Sequence, residues 1–414
     1  MVSALSGLSR DVKQYLLITF NYWNFTLTDG ALRMLVVLHF HQLGYSPLAI
    51  ASLFLFYEIF GVVTNLVGGY LGARLGLNRT MNLGLAMQVV ALAMLAVPSG
   101  MLSVPYVMAA QALSGIAKDL NKMSAKSAIK MLVPKEEPGA LYKWVAILTG
   151  SKNALKGFGF FLGGVLLGWL GFQGAMVAMA SVLVGVLILS LLWLGKDLGK
   201  AKNKPKFSEM FSKSRSINIL SAARLFLFGA RDVWFVIALP ITLGSVFGWS
   251  HSAVGAFLAT WVIGYGLVQG LAPRLTGTAR GRIPDGAAAL KWASLLCAVT
   301  IAVATGVQLE WHPQFTLVFG LMVFGAAFAI NSSLHSFLIV HYAGEDGVSL
   351  DVGFYYMANA MGRLVGTVLS GWVFQMAGLA ACLWISAAFL ALTALISIGL
   401  PRGADHEQGA RHGI

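Results

Sequence analysis

Seven basic residues lie inside stretches that are otherwise apolar: Arg33, Lys118, Lys152, Lys156, Arg224, Arg231 and Arg363. A charge in a hydrocarbon surrounding costs at least ~2.5–3.5 kcal/mol. Leu or Ala would fill the same positions without that cost. Cations kept against it point to a cavity that holds something negative. The carboxylates at similar depth are Asp29, Glu58, Asp119 and Asp232, so seven cations stand against four anions. Lysine can shed such an excess by a lowered pKa. Arginine cannot, because it stays protonated, and its planar fork grips oxyanions through two parallel hydrogen bonds.

Spacing refines the set. Lys152 and Lys156 are one helical turn apart with Asn153 between them, and like charges at that spacing repel. A bound dianion would relieve the repulsion. Counted from residue 104 at ~1.5 Å per residue, Lys118 lies ~21 Å down its helix and Lys122 ~27 Å down. Lys126 and Lys130 are then expected at the headgroups, where long stems snorkel. Asn121, Asn331, Asn359 and His335 add polar groups at comparable positions. Asp29 and Arg33 are i, i+4 and are expected to pair. Arg231 and Asp232 are adjacent, so their side chains should diverge and seek different partners. That leaves Asp29 as the expected ion-pair member and Asp232 as the expected coupling carboxyl.

The elements that position these residues are membrane spans. The chain is 57% hydrophobic and 11% charged, whereas a soluble chain carries about 25% charged residues. Mean hydropathy is +0.76. About 20 apolar residues cross a ~30 Å hydrocarbon core. Twelve segments qualify: 15–38, 47–71, 80–98, 104–126, 141–170, 173–195, 217–245, 252–273, 286–306, 314–340, 352–376 and 378–400. Basic residues collect in alternate loops: Arg10 and Lys13, Arg74 and Arg79, Lys130 and Lys135, the lysine-rich 196–216, Arg280 and Arg282, then Arg402 and Arg411. The positive-inside rule puts both termini in the cytoplasm. An all-α membrane fold of twelve helices is therefore expected.

The net charge of +13 is spread over short loops, which excludes a nucleic-acid face. No Walker loop, paired-histidine zinc motif or GxSxG elbow occurs, so neither ATP-driven transport nor an enzyme is expected. No catalytic residue, metal site or cofactor is expected either. Cys297 and Cys382 are too few for a disulfide framework. The expected partners are a small anion and the lipid bilayer, with the chain acting as a monomer.

The halves repeat each other. Gly168-Trp169 recurs as Gly371-Trp372 at a shift of 203, and Asp29 falls beside Asp232. Gly115 and Asn121 match Gly325 and Asn331 at a shift of 210. This predicts two pseudo-symmetric six-helix bundles, 1–195 and 217–401, joined by a basic cytoplasmic linker, 196–216, with a tail, 402–414. Duplicated halves are the pattern of transporters whose site lies at mid-membrane.

Residues 68–79 read Gly-Gly-Tyr-Leu-Gly-Ala-Arg-Leu-Gly-Leu-Asn-Arg. Gly69, Leu71, Arg74, Gly76 and Arg79 resemble the gating-loop signature of the major facilitator superfamily, with Ala73 in place of its usual aspartate. Span 5 carries Gly157, Gly159, Gly163 and Gly164, similar to glycine-rich span 5 of family antiporters; close helix packing accounts for them equally. A narrower likeness lies in the stretches 25–34, 54–58, 114–126 and 149–157. Their charged spans resemble the organoarsenical efflux permeases called ArsJ. That resemblance implies efflux of 1-arseno-3-phosphoglycerate from the inner membrane, and arsenate resistance together with a glyceraldehyde-3-phosphate dehydrogenase that makes the ester. A sugar-phosphate or phosphate exchanger is the alternative.

Overall fold

The computed structural model describes residues 10–45, 50, 53–132, 139–195, 198–201, 205–211, 214–277 and 283–402. The start of the second span, the basic residues Lys135, Lys196, Arg280, Arg282 and Arg411, parts of the linker and the tail from 403 lie outside the described residues. Among the described residues the secondary structure is helical throughout. The long helices are α1 (Arg10–Gln42), α2 (Leu55–Leu75), α3 (Leu77–Leu95), α4 (Val104–Leu132), α5 (Ala140–Trp193), α6 (Arg215–Phe235), α7 (His251–Leu275), α8 (Gly286–Gln308), α9 (Pro313–Tyr342) and α10 (Val348–Ser397). Seven helical stretches of the described chain are long and apolar enough to cross a membrane. Helices α1, α3 and α4 are more polar, and α1 and α4 carry much of the expected charge.

Helices α5 and α10 each hold two spans. Both bend at one glycine with left-handed backbone, Gly171 (φ 67°, ψ 178°) and Gly378 (φ 74°, ψ −173°). That combination is essentially closed to residues with a Cβ. Helix α6 gives way after Phe235, ahead of Pro240. Proline has no N–H for the carbonyl four residues back. A short turn, Ala238–Ile241, and a π turn, Thr242–Val246, complete the segment. Ser370 Oγ accepts from the Ile237 and Ala238 amides, both at 3.3 Å, where the helix is broken.

The chain divides into two compact units. The first comprises 1–135, 151–212 and 343–357; the second comprises 136–150, 213–342 and 358–414. In the first unit the core gathers Phe25, Leu32, Phe40, Leu85, Leu92 and Met176. In the second it is aromatic, with Trp234, Trp261, Tyr265, Phe324 and Phe328 in ring contact.

Glycines set the helix crossings inside each unit. A Cβ on Gly159 would stand 2.6 Å from the Leu27 carbonyl oxygen, and one on Gly30 would stand 2.8 Å from that of Lys156. Gly163 meets the Ala31 carbonyl in the same way. In the second unit Gly362 lies on the Leu225 backbone and Gly366 on that of Gly229. Gly159 and Gly163 map onto Gly362 and Gly366 at a shift of 203, the spacing of the Gly-Trp repeat. Gly159 and Gly163 are thus packing residues.

Candidate functional site

The first unit builds its charged cluster around a tyrosine. Arg33 on α1 pairs with Glu58 on α2, Nη2 to Oε1 at 2.8 Å. The expected pairing with Asp29 is not formed. The i, i+4 rule says only that two residues share a face, and α2 brings a better-placed carboxylate to that face. Asp29 instead accepts from the Tyr57 hydroxyl at 2.7 Å and is 5% exposed. The Tyr57 ring stands between two cations: Arg33 Cζ lies 4.2 Å from its centroid and Lys118 Nζ 3.8 Å. Each such contact stabilises a desolvated cation by about 0.5–2 kcal/mol.

Helix α4 continues the cluster. Asp119 is buried, with Lys122 Nζ 2.6 Å from Oδ1 and Lys118 Nζ 3.8 Å from Oδ2. Lys122 and Lys126 both reach the ring of Tyr356, at 4.8 and 5.1 Å from its centroid. Lys126 was expected at the headgroups; it is 4% exposed. The depth count treated the helix as a rod in a uniform slab. Here residues 343–357 pack in the same unit, and protein buries what lipid would have released. Lys152, Asn153 and Lys156 are half-buried on α5, and Lys156 Nζ lies 5.9 Å from the Phe160 ring centroid. Asn121 donates to Asn21 Oδ1 at 3.0 Å, and Asn21 reaches Ser190 Oγ at 3.4 Å, which in turn donates to Asn82. Its amide therefore ties helices together.

The second unit gathers arginines. Asp232 is fully buried, and it holds two of them: Arg231 donates Nε to Oδ1 at 2.6 Å, and Arg363 donates Nε to Oδ2 at 3.2 Å. Adjacent residues were expected to diverge, yet Arg231 curls back onto its neighbour because its side chain is long enough to cancel the angle between the Cβ vectors. Arg224 donates to Asn359 Oδ1 at 2.9 Å and to the Ser332 carbonyl at 3.2 Å, with its guanidinium 3.9 Å from the Phe228 centroid. Asn331 donates to the carbonyls of Trp292 and Ala327 at 2.8 and 3.0 Å, a tie between α8 and α9. His335 is buried, and neither ring nitrogen has a hydrogen-bond partner among the described residues.

The loop after α2 is also built. Gly76 has φ 99° and caps α2 through a bond from its amide to the Gly72 carbonyl at 3.0 Å. Arg74 donates to the Tyr70 hydroxyl. Arg79 lies in the first turn of α3 beside Asn78, whose amide donates to the Gly195 carbonyl at 2.6 Å. Ser349 Oγ donates to the Gly69 carbonyl at 2.8 Å, and a Cβ on Gly353 would stand 2.8 Å from the Gly69 Cα. Ala73, where the signature has aspartate, accepts at its carbonyl from the Ala201 amide at 2.8 Å.

A family model described as Major Facilitator Superfamily matches residues 15–237. The chain belongs to the Major Facilitator Superfamily. Solved structures of the same fold include the human organic anion transporter MFSD10 (TETRAN), at TM-score 0.71 and 18% identity, covering 94% of this chain and 98% of that one. A bacterial homologue of the iron transporter ferroportin, in an outward-facing state, aligns at TM-score 0.73 and 12% identity over 94% and 99%. The E. coli fucose:proton symporter FucP aligns at TM-score 0.72 and 12% identity over 94% and 99%. These likenesses establish the fold. A sequence comparison with curated proteins returns no match. This member of the Major Facilitator Superfamily is a multi-pass membrane transporter and not an enzyme.

Sequence reasoning missed Tyr57 and Tyr356 in this superfamily member. Aromatic residues are ordinary filling for a span, so nothing in the pattern singles them out. The available signal was the need of Lys118, Lys122 and Lys126 for partners on neighbouring helices. Tyr57→Phe keeps the ring and both cation contacts while removing the hydroxyl that Asp29 accepts from, so substrate affinity should stay near native even where turnover falls. Tyr57→Leu loses both cation contacts and should weaken substrate affinity by about 5–30-fold. Concentration-dependent flux in proteoliposomes checks this, and equal affinity in both variants would remove the ring from the account.

Proposed function

We propose that this transporter exports a small phosphorylated organic anion across the inner (cytoplasmic) membrane, with 1-arseno-3-phosphoglycerate as the substrate. The observation that carries the reading is charge. Arg33, Lys118, Lys122, Lys126, Lys152 and Lys156 belong to one unit whose spans offer Asp29, Glu58 and Asp119 against them. Six cations against three carboxylates leave three positive charges in excess, which a guest with two or more negative charges offsets. The ArsJ-like stretches in spans 1, 2, 4 and 5 point to the arsenate ester in particular. Glyceraldehyde-3-phosphate dehydrogenase would supply it by using arsenate in place of phosphate, as a functional partner with no need of contact. In this reading Arg33, Lys118, Lys122, Lys152, Asn153, Lys156, Arg224, Arg231, Asn359 and Arg363 serve the anion, and Gly69, Arg74, Gly76 and Arg79 form the gating loop. The second reading is a sugar-phosphate, phosphate or other organic-anion exchanger. TETRAN, of the same fold, is described as an organic anion transporter.

The test is genetic. The permease alone, the dehydrogenase alone and both together are expressed in an arsenate-sensitive host. Only the pair should confer resistance. Full protection by the permease alone would mean that arsenate itself is exported, and the ester reading would fall.

A further inference from the structure

The start of α3 and the end of α5 enclose a cleft of about 280 Å³, lined by Asn78, Arg79, Asn82, Leu191, Leu194 and Gly195. The positive-inside rule puts this end of both spans at the cytoplasmic headgroups. The walls are fixed by hydrogen bonds. Asn78 Nδ2 donates to the Gly195 carbonyl at 2.6 Å, Gln14 Oε1 on α1 accepts from the Gly195 amide at 2.9 Å, and Ser190 Oγ donates to Asn82 Oδ1. These bonds decide what each amide side chain has left to offer. Asn78 has used its donor; it is 2% exposed, and its acceptor Oδ1 has no hydrogen-bond partner among the described residues. Asn82 has used its acceptor, and its Nδ2 makes no hydrogen bond among the described residues. Arg79 is exposed, and a guanidinium carries five N–H donors in a planar fork that fits phosphate. Leu191 is 59% exposed and Leu83, one turn on from Arg79, is 43% exposed. They lie on the third and sixth spans, where a surface leucine meets acyl chains.

The cleft thus presents donors to an oxyanion, a buried acceptor to a donor, and an edge that opens onto hydrocarbon. We infer that it binds a membrane phospholipid whose headgroup carries a hydrogen-bond donor in addition to its phosphodiester. The phosphodiester sits against Arg79 and the Asn82 amide, the donor reaches Asn78 Oδ1, and an acyl chain follows Leu191 and Leu83 into the bilayer. Phosphatidylethanolamine meets these requirements with its ammonium, and phosphatidylglycerol with its hydroxyls. Phosphatidylcholine has the same phosphodiester and chains but no N–H or O–H, so it leaves Asn78 Oδ1 both desolvated and unpaired. The volume is at the small end of ligand pockets, which run from ~300 to 1,000 Å³. It takes a headgroup and the first carbons of a chain. Arg79 belongs to the loop proposed as the gate and Gly195 follows the end of α5, so a bound lipid ties those two places together. None of the residues assigned to the transported anion takes part, and the site stands whatever that anion is.

The test is native mass spectrometry of the purified full-length protein in a maltoside detergent, titrated with lipids of matched chains. These are phosphatidylethanolamine, its N-methyl and N,N-dimethyl forms, phosphatidylcholine and phosphatidylglycerol. Glycerophosphoethanolamine supplies the head without chains, and a melting curve shows that each protein is folded. The first equivalent of phosphatidylethanolamine or phosphatidylglycerol should bind about 3–10-fold more tightly than phosphatidylcholine, the value of one hydrogen bond. Along the methylated series the loss should come at the last methyl, because the dimethyl form still has one N–H to give. Asn82→Asp keeps the bond from Ser190 but sets a negative charge against the phosphodiester, and should weaken every lipid about tenfold or more. Should Asn82→Asp not fold, Arg79→Gln is read in the same way. Equal affinity for all five lipids, or no retained lipid, in folded native protein would overturn the inference. Unchanged affinities in folded Asn82→Asp would overturn the placement of the site. Glycerophosphoethanolamine binding as tightly as the intact lipid would make the ligand a soluble phosphodiester and overturn the lipid assignment.

Discussion

Asp232→Asn should be among the most damaging single substitutions in this transporter. The amide preserves shape but removes the charge that Arg231 and Arg363 share at 2.6 and 3.2 Å in a fully buried position. Two guanidinium groups then lose the carboxylate they share, and neither can deprotonate. Breaking a buried pair of this kind costs about 3–5 kcal/mol, a fall in melting temperature on the order of 10 °C. Asp232→Asn with Arg231→Gln should recover part of the loss. Asp29→Asn should behave differently. Among the described residues Asp29 has no cation at ion-pair distance, and its partner is the Tyr57 hydroxyl, which can donate to an amide oxygen as well. Asp29→Asn should melt close to the native protein and, if Asp29 carries the coupled proton, lose the response of transport to a pH gradient. This reverses the roles that spacing along the chain suggests. Melting curves and gradient-driven flux for both Asn variants decide it. An Asp29→Asn protein as unstable as Asp232→Asn, or one still driven by the gradient, would return coupling to another group.

A methyl group placed on Gly362 should be nearly as harmful. It would overlap the Leu225 backbone, whose carbonyl carbon lies 2.8 Å and Cα 2.9 Å from the ideal Cβ position. A side chain could rotate away, but a helix backbone cannot, so α6 and α10 must separate. Overpacking of this sort costs about 1–3 kcal/mol and sometimes more. Arg363 is the next residue, and separation draws its guanidinium off Asp232, so transport should fall beyond what stability alone explains. Gly164→Ala is the control, because nothing lies within 4 Å of its added Cβ. Gly362→Ala with native melting and native flux would show that the helices tolerate a wider crossing.

The glycine crossings are where sequence and structure agree most closely. The shift of 203 seen in Gly-Trp recurs in Gly159/Gly362 and Gly163/Gly366, because close backbone approach leaves no other residue type as an option. The positions of the buried charges were equally plain, since lysine and arginine are conspicuous in apolar runs. Their partners were not. Arg33 turned to Glu58 on another helix, and Arg231 turned to its own neighbour. Partner choice depends on how helices cross, and charge spacing within one helix holds no information about that. Lys126 shows the same gap, because burial by protein at the end of a helix leaves no mark in a hydropathy profile.

The two single-glycine bends also constrain how the chain enters the membrane. Between the arms of α5, and again between the arms of α10, there is no loop for the insertion machinery to read as a stopping point or for a charge to occupy. Each pair of spans must therefore partition into lipid as one hairpin. Its orientation is then set by the ends that flank it, which for α5 carry Lys143 and Lys200. A nascent chain halted just past Gly171 or Gly378 would hold half a hairpin whose outer end has nothing to anchor it, so α5 and α10 commit to the bilayer late, and all at once.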